Sequence, residues 1–93
     1  MSLPLPGERE AGELGYSLLN HSGNHQRATY VKDGIFFNIH YGGGGLAGNL
    51  SFFYGLLVIS TFGSDFSFPN KNFAAFEKQI RRVYDLCHRG AKR

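Results

Sequence analysis

The most regular hydrophobic pattern lies near the end of the chain. Across 72–89, NFAAFEKQIRRVYDLCHR, the residues Phe73, Phe76, Ile80, Val83, Tyr84 and Cys87 recur at three- and four-residue steps. That spacing puts them in one stripe along an α-helix. Asn72 has a side-chain oxygen suited to capping the first turn, Pro69 sits just upstream, and Gly90 is placed to turn the chain at the end. Arg81, Arg82, His88 and Arg89 gather in the last turns, where the helix dipole favours cations. The pattern predicts a helix over 72–89, and the rest of the chain must supply the surface its stripe covers.

Upstream, the clearest signal is a hairpin. Residues 25–32 and 35–41 flank Asp33-Gly34, a pair preferred in the two-residue type I′ turn because both central residues need positive φ. Such a turn fixes the register, and the register sorts side chains by face. Lys32 falls opposite Ile35, Tyr30 opposite Phe37, Ala28 opposite Ile39 and Gln26 opposite Tyr41, giving a largely apolar face for the helix. Val31 with Phe36, Thr29 with Asn38 and Arg27 with His40 make the other, more polar face.

The remaining segments are less regular. Residues 1–13 mix Pro, Gly and charge and read as a flexible N-terminal arm. Leu14 to Asn20 reads as a first strand in which Leu18 and Leu19 need burial, and 21–24 as a turn. Gly42 to Asn49 reads as a glycine-rich loop. Leu50 to Thr61 is apolar on both sides of any strand it forms, which fits a central strand covered twice, a short helix plus a strand, or a subunit interface, with Gly55 marking a bulge or a break. Residues 62–71 read as irregular, apart from a last short strand at FSF, 66–68. The sum is an α+β domain over 14–93: a small antiparallel β-sheet of four or five strands, meander-like, with one C-terminal amphipathic helix packed on one face. Ninety-three residues allow one domain with a modest core.

Charge adds an asymmetry. Residues 1–70 hold three Lys/Arg against five acids, and residues 71–93 hold seven against two, so the net +3 is concentrated on the last helix and tail. The longest apolar run, 52–59, is too short for a membrane-spanning helix, and the opening MSLPLPGERE lacks the basic-then-apolar order of a secretory signal. A single cysteine, Cys87, permits no intrachain disulfide and points to a reducing, intracellular setting, cytoplasm or nucleus.

Catalytic chemistry finds little support. Gly43-x-Gly45-x-x-Gly48 spells the dinucleotide fingerprint, with Asp65 about twenty residues on. Too little chain follows it for a dinucleotide fold, so a nucleotide-binding enzyme built on that loop is the minor alternative. His21 and His25 are four apart with a turn sequence between them, and no Cys-x-x-Cys set exists, so no metal or cofactor is expected. Cys87 lies on the apolar stripe and reads as a small core residue, and Glu77 as the i, i+4 partner of Arg81.

Binding is the better-supported class. Nucleic acid needs cations for phosphate and aromatics for stacking. Lys78, Arg82 and Arg89 lie along the helix side away from the stripe, and Arg27, Phe36, Asn38 and His40 furnish the polar sheet face. These are the candidate DNA- or RNA-binding residues of a small basic, non-enzymatic interaction module. The alternative is a protein-interaction adaptor or oligomeric subunit, because fourteen aromatics and the 52–59 run exceed what one small core hides. Pairing two copies as a homodimer would cover the excess.

In element order alone, over residues 25–89, the chain resembles several small nucleic-acid binders: the single-stranded-DNA-binding transcriptional coactivators, the Whirly proteins and the small Alu-domain proteins of the signal recognition particle. No family motif is matched residue by residue, and the same order occurs in protein-binding modules.

Overall fold

Asp33 and Gly34 both adopt positive φ, 51° and 83°, so the type I′ turn forms where the sequence places it. The computed structural model describes residues 4–42, 45–60, 66–67 and 73–91. Strands β1 (Ser17–His21), β2 (Arg27–Lys32), β3 (Ile35–Gly42), β4 (Gly45–Tyr54) and β5 (Leu57–Ser60) form an antiparallel meander in that spatial order. The two-residue β6 (Phe66–Ser67) prolongs the β5 edge by pairing with Ala47 and Gly48 of β4. Six of the seven partners deduced from the turn pair within β2 and β3, from Lys32 opposite Ile35 to Arg27 opposite His40, and Gln26, just outside β2, accepts from the Tyr41 amide at 3.0 Å. The fold is thus a small α+β unit with a C-terminal helix laid on one sheet face.

That helix, α2 (Phe73–Ala91), buries Phe73 and Ile80 and packs Phe76, Val83, Tyr84 and Cys87 against the same core. All six stripe residues therefore face the sheet. Asn72, the expected cap, lies outside the described residues, and α2 runs through Gly90 instead of ending before it. Phe37 sits at the centre of the core with no exposed surface, its ring 5.0 Å from Phe73 and 5.5 Å from Tyr16. Full burial of one such side chain contributes roughly 2–3 kcal/mol.

Two expectations change. The N-terminal segment, read as an arm outside the domain, carries a short helix, α1 (Glu8–Glu13), and buries Pro6 and Ala11 against the sheet. It covers the end of the apolar face opposite Ile39: a Cβ on Gly7 would meet Ile39 Cδ1 at 2.1 Å. The glycine-rich stretch is the second. Gly43 lies outside the described residues, but Gly45 opens β4 and Gly48 pairs with Ile39, so most of the expected loop is strand. Pairing along the whole of β3 overrides the weak strand preference of glycine.

The long apolar run resolves as a hairpin. Gly55 alone has positive φ, 64°, between Tyr54 and Leu57, which marks a type II′ turn joining β4 to β5. On β1, Leu18 and Leu19 remain half-exposed instead of buried, and the register slips between Leu18 and Asn20.

Candidate functional site

Cations on α2 fall into two groups according to the side they face. Among the described α2 cations, Arg81 alone is turned toward the hairpin, and it is paired there. Arg81 Nη1 lies 3.8 Å from Asp33 Oδ2, and Glu77 takes Lys32 of β2 at 3.3 Å. The i, i+4 spacing predicts that Glu77 pairs with Arg81 one turn along. The partly buried Lys32 ammonium draws it across to the sheet and also donates to the Leu14 carbonyl oxygen at 2.6 Å. These two pairs fasten α2 to the β2–β3 turn. Beside them the buried Tyr16 phenol is held protonated well above its ordinary range, first by burial and then by the Glu77 carboxylate.

Those turned outward are a different set. Lys78, Arg82 and Arg89 are all exposed, and none enters an ion pair among the described residues. With Arg81, Asp85 and Leu86 they line a depression of about 430 Å³ along the outside of α2. Asp85 reduces the positive charge there without removing it.

The sheet face away from α2 carries the second set of candidates. Arg27 and His40 are exposed and stand opposite each other across β2 and β3. Asn38 is already engaged: its amide oxygen accepts from Thr29 Oγ1 at 3.1 Å, and its nitrogen donates to Asn49 Oδ1 at 3.0 Å and Ser51 Oγ at 3.4 Å. Phe36 is half-buried, its ring 5.5 Å from that of Phe53 on β4. A shallow hollow lined by Arg27, Thr29, Asn38 and His40 marks the polar end of this face.

The structure therefore does not bring the seven candidates together. Because α2 lies on the apolar face, its outward side and the Arg27/His40 face look in opposite directions from a two-layer domain. A rigid ligand reaches one set or the other.

Gly48 serves strand approach. A Cβ on Gly48 would stand 2.0 Å from the Asn38 carbonyl oxygen, so no other residue fits without parting β3 from β4. After Gly45 and Gly48 the chain continues as β4 to Tyr54, where the dinucleotide fingerprint needs a helix N-terminus. His21 and His25 bring their rings to 5.0 Å edge to face across the turn, and among the described residues no three His, Cys, Asp or Glu side chains gather as metal ligands. No helix among the described residues is long and apolar enough to cross a membrane.

The apolar excess of the 52–59 run is displayed as a hairpin, a form not among those expected for it from the sequence. Phe53, Leu57 and Val58 are 58%, 64% and 59% exposed, and Leu56 at the turn is fully exposed. Together they make the β4–β5 hairpin an apolar edge. The signal was present in Tyr54-Gly55-Leu56-Leu57, a glycine at the first central position between two apolar runs.

No family model, no curated protein and no solved structure matches this chain.

Proposed function

We propose that this chain is a non-enzymatic binding module that takes a polyanion, DNA or RNA, on the outward side of α2. One observation carries this reading: the cations of α2 are sorted, with Arg81 paired inward and Lys78, Arg82 and Arg89 without an ion pair among the described residues along one exposed side. Cations that no acid neutralises can meet the phosphates of a nucleic-acid backbone and release its counterions on binding. Contacts of that kind position a backbone without reading bases, so sequence preference is weak.

Retention on an oligonucleotide column at low salt, eluting as salt rises and abolished by Arg82→Glu with Arg89→Glu, is the expected result. Absence of low-salt binding to single- and double-stranded DNA and RNA alike would exclude the proposal.

A second reading, a protein-interaction or assembly subunit, is favoured by the exposed apolar β4–β5 hairpin.

A further inference from the structure

The two edges of the sheet are built differently. The β1 edge is interrupted by a register shift between Leu18 and Asn20 and carries Asn20 and His21. Bulges and polar residues are how natural edge strands avoid unwanted pairing. The β5 edge has no such protection: Leu57, Val58, Ile59 and Ser60 contain no charge and no proline, and among the described residues β5 pairs with β4 alone.

We infer that β5 pairs with β5 of a second copy, joining two sheets about a twofold axis. This deepens the assembly reading above and does not depend on the polyanion one. Three features select a second copy as the occupant. First, a twofold axis perpendicular to the sheet sets a central residue opposite itself and its neighbours opposite each other. A strand bearing a charge at its centre would repel its own copy, and β5 has none. Second, the backbone is in phase. Leu57 faces Tyr54 across the two-residue turn and directs its amide and carbonyl toward β4, so Val58 and Ser60 direct theirs outward. With Val58 opposite the second copy's Val58, the amides and carbonyls of the two Val58 residues exchange hydrogen bonds, and Leu57 meets the second copy's Ile59 on the helix-bearing face. Every central pair is then apolar against apolar. Third, Leu57 and Val58 of β5 are 64% and 59% exposed, with Phe53 and Leu56 exposed beside them, so a second β5 laid along this edge meets apolar surface on both faces.

The axis keeps like faces together. Both α2 helices then lie on the same side of one continuous sheet, and their basic sides point the same way.

The test is the solution mass of the full chain by sedimentation equilibrium. The wild type should sediment at twice the chain mass. Val58→Lys changes a residue already exposed in the single copy, so circular dichroism should be unchanged. It sets two ammonium groups face to face at the axis and should weaken self-association roughly a hundred-fold or more. Mixing Val58→Lys with Val58→Asp chains should restore the dimer, because only this register brings the two position-58 side chains together. A wild-type monomer at millimolar concentration overturns the proposal and leaves the edge to a strand of another protein. A dimer that survives Val58→Lys, or fails to return in the mixture, overturns it as well.

Discussion

The hydroxyl of Tyr30 on β2 donates a 2.7 Å hydrogen bond to the carbonyl oxygen of Pro6, twenty-four residues earlier in the chain. Tyr41 repeats the contact with the carbonyl of Pro4. Two phenols on one sheet face therefore hold down the segment that enters α1, and both Tyr30 and Pro6 are buried there. Tyr30→Phe keeps the ring and removes the donor, leaving a buried carbonyl unpaired. The expected loss is about 1–3 kcal/mol, read as a lower urea midpoint with an unchanged slope. An unchanged midpoint would mean that the N-terminal segment is not fastened by this bond.

The same phenol gives the fold an alkaline limit. Burial, with the Glu8 carboxylate second, pushes the Tyr30 pKa from the ordinary 10 up to about 12. The folded state thus retains its proton at a pH where the unfolded chain has released it. By linkage this stabilisation is complete below pH 10 and is lost as pH rises from 10 to 12. Tyr16, raised in the same direction, adds to the fall. Denaturation midpoints measured across that range should drop, and Tyr30→Phe should flatten part of the drop. A wild-type midpoint level through pH 12 would contradict the burial of both rings.

Three glycines separate backbone need from mere composition. Gly48→Ala drives a methyl onto the Asn38 carbonyl at 2.0 Å and should cost several kcal/mol, roughly 3 or more, or prevent folding. Gly55→Ala meets open space but keeps a φ of 64°, so about 1 kcal/mol is expected. Gly12→Ala sits in α1 with nothing within 4 Å and should stabilise by roughly 0.5–1 kcal/mol. Thermal melts of the three variants rank them, and any other order would put the β3–β4 approach in question.

What could be read from the sequence was local, and what could not was set by distant contacts. Asp33-Gly34 specifies its own turn, and the turn dictates six cross-strand pairs. The Phe73-to-Cys87 stripe likewise carries its own period. By contrast, EREAGE has no apolar periodicity, and its place is decided by the Tyr30 hydroxyl and by Ile39 against Gly7. Gly45 to Asn49 becomes strand only because β3 is there to pair with it. Among the candidate residues, each one's exposure was readable where its period was clear, as for Lys78 and Arg82. Their separation from Arg27 and His40 was not, because it depends on which sheet face α2 covers.

That separation yields the last prediction. If the outward side of α2 holds the polyanion, Arg27→Ala and His40→Ala should leave oligonucleotide affinity unchanged within about twofold, since both lie on the opposite surface. Arg82→Ala and Arg89→Ala should each lower it. With Lys78, Arg82 and Arg89 meeting phosphates, the logarithm of affinity for a single strand should fall with the logarithm of salt at a slope of about −2. Each alanine should make that slope shallower by about 0.7, whatever the base sequence. Fluorescence anisotropy of a labelled oligonucleotide over a salt series gives both quantities. Should Arg27→Ala weaken binding while Arg82→Ala does not, the ligand sits on the Thr29–Asn38–Asn49 face, and the exposed cations of α2 serve only to keep the helix in solvent.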